Sequence, residues 1–295
     1  MNKKYSLQEY VDIINSYLDT VVGECCFGEP IVHEAMKYSL SIGGKRIRPV
    51  LVLEFARLCG GSIENALPYA AAIEMIHTYS LIHDDLPCMD DDDMRRGMPS
   101  CHKKYGEEYA LLAGDGLLTG AFGTIASSEA AKNNPAVAIE AVALLSGLAG
   151  ANGMIGGQVV DLKNEGKSAS LATLQLMDSL KTGALIKCAA LLGVVSACGD
   201  VEKRNAATQY AENLGHAFQI VDDILDVIGT REQLGKPIGS DAQSGKSTYV
   251  ALLGLEKSQQ CASELTDKAI KALDIFGDEA EFLKELALKL IKRQN

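Results

Sequence analysis

The chain has 295 residues, 47% of them hydrophobic and 23% charged, and its 39 acidic against 28 basic residues give a formal charge of −11. That hydrophobic fraction excludes a disordered chain, and the length carries ample apolar material for a core. Nucleic-acid binding rests on neutralising phosphate, so a net negative chain is expected to have no nucleic-acid partner.

The first ten residues, Met1–Tyr10, are polar and lack a hydrophobic signal core. From there Tyr10, Ile13, Ile14, Tyr17, Leu18, Val21 and Val22 recur at three- and four-residue steps, the period of an amphipathic helix. Similar stretches follow near 49–59, 66–83, 107–131, 136–155, 171–180, 182–198, 203–228, 247–254, 257–274 and 279–293. Turn signals separate them, among them Gly43-Gly44, Gly60-Gly61, Gly97-Met98-Pro99 and Asn133-Asn134-Pro135. No run alternates as a strand would. The expectation is an all-α chain of about ten helices, one large bundle forming a single domain over 1–295. At least one of the stretches apolar all round, Ala136–Ala149 and Ala184–Ala197, should sit centrally. Pro135–Gly157 is the most membrane-like stretch, but Glu140, Asn152 and several glycines interrupt it, so no transmembrane segment is expected. Arg231–Ser247, rich in Gly, Lys and Asp, reads as a functional loop. The eight cysteines show no CxxC or Cys/His metal spacing, which suits small core residues in a reduced, cytoplasmic protein.

The negative charge is concentrated. Six Asp fall between Asp84 and Asp93 and three more between Asp222 and Asp226; without those nine the chain is close to neutral. Acidic runs are usually solvated faces. These are embedded in apolar helical sequence instead. Asp222 and Asp226 stand one turn apart on one helix face, with Gln219 a turn earlier, and like charges so placed repel unless a cation sits between them. With no accompanying Cys or His pattern, the cation expected is hard: Mg²⁺, which pairs one or two carboxylates with water and substrate phosphate. Two such carboxylate faces opposed across a cavity would suit a diphosphate held by metal ions. No EF-hand spacing supports a calcium site.

An anionic ligand needs cations as well. They occur in Gly43-Gly44-Lys45-Arg46-Ile47-Arg48-Pro49, in Arg95-Arg96, and in Lys181-Thr182-Gly183 with Lys236 and Lys246. None has the spacing of a nucleotide P-loop. His77 precedes Asp84 by two helical turns on the same side, a register that suits either ligand contact or a structural role.

Taken together, GGKRIRP at 43–49, IEMIHTYSLIHDDLPCMDDDDMRRG at 73–97, LAGDGL at 112–117, GGQVVD at 156–161, KTGA at 181–184, FQIVDDILD at 218–226 and the stretch 235–249 resemble the trans-isoprenyl diphosphate synthases. Within them the chain is most similar to the bacterial-type farnesyl diphosphate synthases. The resemblance covers roughly 43 to 255 and implies an all-α bundle around a deep central cavity (the isoprenoid synthase fold), usually a homodimer, with isoprenyl diphosphates as its small-molecule substrates. It implies head-to-tail joining of isopentenyl diphosphate to an allylic diphosphate, with about three Mg²⁺ ions, or Mn²⁺ in their place. By motif position, Asp84, Asp90 and Asp222 correspond to metal ligands and Asp85 and Asp226 to supporting carboxylates. Arg95, Lys181, Thr182, Gln219, Lys236 and Lys246 correspond to the allylic diphosphate and its reacting end. Lys45, Arg48, His77 and Arg96 correspond to the isopentenyl diphosphate pocket. Arg231–Ser247 and the terminal Lys292-Arg293 are candidates for closing the site.

In this family the product grows along the helix of the first motif, toward its N-terminus. Tyr79, with Ser80 beside it, lies five residues before Asp84, about 7.5 Å along a helix axis, where an aromatic ring would floor the cavity. With the four residues between Asp85 and Asp90, this is the family's pattern for a farnesyl product. A geranyl or geranylgeranyl synthase differs only in cavity depth and stays open, as does a non-catalytic subunit of a heteromeric synthase. Terpene cyclases carry a different second metal motif and abundant aromatics, whereas this chain has no Trp. A head-to-head condensing enzyme does not fit the complete Lys45, Arg48 and His77 set.

Overall fold

The structure is a computed structural model that describes residues 3–23, 30–229 and 247–292, with only the backbone for Ile291 and Lys292. The described residues are helical almost throughout, as expected. By contact density the chain falls into two compact units: Met1–Leu144 with Val195–Cys198, and Leu145–Val194 with Gly199–Asn295.

The first unit begins with α1, Leu7–Val22, opened by a capping box in which Ser6 and Glu9 satisfy each other's backbone N–H groups. Its predicted stripe is its buried face: Tyr10, Ile14, Leu18 and Val22. α2 (Pro30–Ser41) and α3 (Ile47–Leu58) follow, then α4 (Ile63–Asp84). Almost every side chain of α4 from Pro68 to Ile76 is buried, so α4 lies inside the unit. α6 (Glu107–Ala126) and α3 pack along it. Two ion pairs lie in this core. Arg46 lies 2.6 Å from Glu74 of α4, and Arg57 binds Glu54, which also accepts the Tyr10 hydroxyl at 2.5 Å.

Elements not expected from periodicity are short or interrupted. α2 opens on Pro30 and carries polar residues along its length. α5 (Cys101–Tyr105) and α7 (Glu129–Asn133) are five residues each, α7 being split from α6 by the Ser128 cap on Ala131 N–H. The stretch expected over 136–155 stops at Ala149 as α8 (Pro135–Ala149), and a further helix, α9 (Met154–Asn164), runs mostly beyond it. A two-stranded hairpin, β1 (Met94–Arg95) and β2 (Met98–Pro99), also appears. Its loop residues Arg96 and Gly97 both have positive φ, as a tight two-residue hairpin loop requires.

In the second unit α10 (Leu171–Asp178) runs into a π-helical turn, Ser179–Gly183, and then into α11 (Ala184–Ser196). α12 (Val201–Ile228) is capped by Asp200 and packs along α14 (Leu255–Ala272). Leu174, Ile220, Val221, Ile224, Tyr249 and Ala262 form the core joining α10, α12, α13 (Tyr249–Leu253) and α14. A 3₁₀ segment, Asp274–Ala280, leads to α15 (Glu281–Lys292).

Of the two stretches apolar all round, α11 is buried on nearly every side, whereas α8 is buried only along Ala138, Ala141, Leu145 and Ala149 and leaves Ile139 71% exposed. By length and composition alone, Glu107–Ala126, Pro135–Asn164 and Leu171–Ser196 are apolar enough to cross a membrane. The expectation of no transmembrane segment is therefore not carried by helix composition.

Glu74→Ala removes the counter-charge of Arg46, whose other partners, Asn15 Oδ1 and the Leu40 carbonyl, are neutral. The expected loss of stability in urea unfolding is about 3 kcal/mol, the cost of breaking a buried ion pair from one side. A loss within about 0.5 kcal/mol, typical of a surface substitution, would contradict that role.

Candidate functional site

In the first unit the loop 43–46 reverses the chain ahead of α3. Gly43, Gly44 and Arg46 all have positive φ there. Arg46 turns inward to Glu74, so it is structural. Arg48, in the first turn of α3, lies with Nη1 3.3 Å from His77 Nε2 on α4. Burial, and after it the Arg48 and Arg96 cations, hold the His77 imidazole well below its ordinary pKa. His77 is therefore neutral at pH 7 and accepts from the guanidinium. Burial also pushes Arg48 down to about 10. Its Nε is buried without a hydrogen-bond partner, a donor that an anionic ligand would satisfy. Arg96 donates to the Gly43 carbonyl, and its guanidinium fills the space where a Gly44 side chain would stand. Arg48, His77 and Arg96 are thus brought together, and Lys45 is exposed in the loop beside them.

The first Asp motif begins where α4 ends. Asp84 is the last helical residue and Asp85 the C-cap. The inserted residues fold into a compact turn: Met89 N–H donates to the Leu86 carbonyl, and Asp90 N–H returns to the Asp84 carbonyl at 2.9 Å. The insertion therefore ties Asp90 to Asp84 through the backbone. Asp85 is buried, with its carboxyl pKa raised by that burial and partly restored by Arg95. Arg95 grips Asp85 through Nε and Nη2 and reaches Asp92 at 3.3 Å. The hairpin places Arg95 to do this while Arg96 turns toward Gly43.

Sequence reasoning passed over another group here. Among the described residues, Asp91, Asp93 and His102 each offer an atom within 4.8 Å of the others. Asp93 also pairs with Lys103 at 2.8 Å. His102 was not legible as a partner because it arrives from α5, beyond the hairpin. Carboxylate oxygens such as these, and those of Asp84 and Asp90, are of the kind that suits a hard divalent cation.

Tyr79 is buried on α4, its ring edge-on to His83 at 5.7 Å, and its hydroxyl has no hydrogen-bond partner. Ser80 Oγ donates back to the His77 carbonyl. One turn beyond Tyr79, Met75 lines a cavity of about 620 Å³ with Gly116, Gly120 and Thr124 of α6.

In the second unit, Lys181 and Thr182 stand in the π-helical turn, a distortion frequent at functional sites. Lys181 Nζ binds Asp161 of α9 at 2.6 Å. Asp222, Asp223 and Asp226 fall in the last two turns of α12. Asp226 is buried, and Asp223 accepts from Tyr249 N–H at 2.6 Å at the start of α13. Gln219 stands one turn before Asp222 on α12, and at the end of α10 burial raises the Asp178 carboxyl to about 7. Sequence reasoning gave Asp161 and Asp178 no role, since a lone Asp on a helix carries no pattern. The expected Lys236 and Lys246, most of the loop 231–247 and the terminal Arg293 lie outside the described residues, and so does the Lys292 side chain.

A family model described as polyprenyl synthetase matches residues 29–286. Geranylgeranyl diphosphate synthase of Cyanophora paradoxa is 45% identical over 271 residues, covering 91% of this chain and 90% of that one. Farnesyl diphosphate synthase of Escherichia coli (strain K12) is 43% identical over 298 residues, 99% of each. Among solved structures, an apo FPP/GFPP synthase from Zymomonas mobilis matches with a TM-score of 0.85 at 35% identity, over 97% of both chains.

The π-helical turn depends on close approach by α9. A Cβ on Gly157 would stand 2.2 Å from Lys181 N and 2.6 Å from its Cα, both backbone atoms. Gly157→Ala is expected to lower stability by about 1–3 kcal/mol, measured by denaturant unfolding. Gly123→Ala on α6, where nothing lies within 4 Å, should raise it by about 0.5 kcal/mol. Equal effects of one sign would contradict the close packing at Gly157.

Proposed function

This chain belongs to the polyprenyl synthetase family and is a prenyltransferase, and from that premise we propose that it makes farnesyl diphosphate. It adds isopentenyl diphosphate head to tail to dimethylallyl and then geranyl diphosphate. The observation that carries the reading is the paired inventory of charge. Carboxylates close the ends of α4 and α12; Arg95 pairs with Asp85 at the first, and in the second unit Lys181 pairs with Asp161 of α9.

The roles follow from these groups. Asp84, Asp85 and Asp90 in the first unit, and Asp222 and Asp226 in the second, hold divalent cations, and the donor chemistry fits Mg²⁺. Bound Mg²⁺ supplies positive charge to the departing diphosphate. Arg95, Lys181, Lys236 and Lys246 bind the allylic diphosphate and add fixed charge that favours C–O cleavage. Lys45, Arg48 and Arg96 bind the isopentenyl diphosphate, with neutral His77 completing that set. The homoallylic double bond attacks the allylic cation, and the released diphosphate accepts the proton lost in closing the new double bond. Thr182 and Gln219 offer oxygen dipoles to the cation. No nucleophilic side chain is needed.

Tyr79 sets the product length by flooring the chain cavity, with Ser80 next to it. A geranylgeranyl product is the second reading, favoured by the 620 Å³ cavity that Met75 lines one turn deeper and by the name of the Cyanophora relative. A homodimer is also proposed, supported by Tyr109, Leu111 and Leu112 left exposed on α6. Cytoplasmic residence is supported by the free thiols of Cys59, Cys88, Cys101, Cys188, Cys198 and Cys261.

The test is product analysis with labelled isopentenyl diphosphate and dimethylallyl, geranyl or farnesyl diphosphate, in Mg²⁺ or EDTA. The expected product is C15 from the first two primers and none in EDTA, with C20 or longer from Tyr79→Ala. A C20 product from the unaltered chain would overturn the farnesyl reading. Unchanged C15 from Tyr79→Ala would remove Tyr79 as the floor.

A further inference from the structure

The hairpin that carries Arg95 and Arg96 is closed at its base by Ser100 N–H, which donates to the Asp93 carbonyl at 2.9 Å. Side chains from both sides of that base converge. Asp91 and Asp93 precede β1, and His102 follows β2 in the first turn of α5. Each offers a ligand atom, and the three atoms lie within 4.8 Å of one another. Two exposed acids on a loop are ordinary, but His102 is only 5% exposed. Ser100 Oγ stands 3.1 Å from its Nδ1. Its Nε2 is buried with no hydrogen-bond partner among the described residues. A buried ring nitrogen in that state is costly whether it carries a proton or a lone pair, and a ligand relieves the cost.

We propose that Asp91, Asp93 and His102 form a cation site separate from the carboxylates of Asp84, Asp85 and Asp90. It takes a first-row transition ion such as Zn²⁺ in preference to Mg²⁺, and the ion clamps the two ends of the arginine hairpin together. The donor set decides the class of ion. Mg²⁺ favours oxygen and holds its water, whereas an imidazole beside carboxylates suits Zn²⁺ and its neighbours. Ser100 supplies the outer partner that a ligating imidazole usually has: Nδ1–H donates to Oγ, which leaves the Nε2 lone pair for the ion. Ligand atoms about 2.0–2.2 Å from zinc stand about 3.4 Å apart in a tetrahedron. His102 is fixed by burial, and the exposed Asp91 and Asp93 side chains rotate to close the remaining gap. Lys103 is the competitor. Its Nζ sits 2.8 Å from Asp93, and its side chain is 42% exposed, free to swing into solvent when an ion enters. Because Arg95 and Arg96 lie between the clamped ends, the ion restricts both. The proposal does not depend on the prenyl-transfer reading.

The test uses the full chain, stripped with a chelator and then equilibrated with Zn²⁺ in excess Mg²⁺ without diphosphate. Bound zinc is counted by mass spectrometry, and its affinity is read by competition with a chromogenic chelator. A single Zn²⁺ per chain is expected, with nitrogen and oxygen at about 2.0–2.2 Å in its X-ray absorption spectrum and no sulfur at about 2.3 Å. His102→Gln and Asp91→Asn should each weaken binding by at least the roughly 10–100-fold that loss of an outer partner costs. Lys103→Met should tighten it about two- to fivefold, the worth of the exposed ion pair it removes. Asp84→Asn should leave the affinity unchanged. Amide exchange over residues 94–100 should slow with Zn²⁺ in the unaltered chain and not in Asp91→Asn. Asp91 is exposed, so its variant keeps the test decisive if His102→Gln does not fold. Failure to retain zinc against Mg²⁺, sulfur in its shell, an affinity that survives Asp91→Asn, or one lost in Asp84→Asn would overturn the site. Zinc bound with hairpin exchange unchanged would overturn the clamp.

Discussion

Like charges gathered at the end of an apolar helix cannot be left to themselves. Asp85 there is buried and has lost water, and each carboxylate raises the free energy of its neighbours. The structure deals with this constraint residue by residue. Asp85, the most buried acid of the first motif, is gripped by Arg95. Asp93 takes Lys103, and Asp223 takes a backbone N–H from α13. The same logic runs through the basic side, where Arg46 is neutralised by Glu74 inside the fold while Arg48 keeps a buried N–H without a partner.

Local backbone devices make those pairings possible. The positive-φ pair Arg96-Gly97 turns the hairpin so that consecutive arginines diverge, one to Asp85 and one to Gly43. Gly44 leaves room for the Arg96 guanidinium, and Gly157 lets α9 touch the backbone of the π-helical turn that carries Lys181 and Thr182. None of these features adds apolar burial. They are the places where the chain accepts strain or a missing side chain to set a charged group.

Much of this was legible before any coordinates. The three- and four-residue spacing in α1 named its buried face, whereas of the aspartates read as lying off a solvated face Asp85 and Asp226 are buried and Asp90–Asp93, which follow the end of α4, are exposed. What periodicity missed has identifiable causes. Short helices such as α5 and α7 offer too few turns for a pattern. The hairpin has only two residues per strand, and its loop puts Arg where Asn or Gly is the usual signal. A π-helical turn keeps a helical composition and so is silent in sequence. Arg46 and Arg48 look equivalent in a basic run, and only their partners separate a structural arginine from one that can meet a ligand. Asp178 and Asp161 are single acids in helices, and their meaning comes wholly from residues distant in sequence.

The central claim is the proposed one, that these carboxylates and cations bind metal and diphosphate together, each ligand completing the charge balance for the other. Differential scanning fluorimetry with Mg²⁺, with a non-hydrolysable allylic diphosphate analogue, and with both tests it most directly. The account predicts a rise in Tm for the pair well above the sum of the two separate rises, of the order expected from about 3 kcal/mol of linked binding, and its loss in Asp84→Asn. Additive shifts, or an analogue shift that is the same in EDTA, would contradict it.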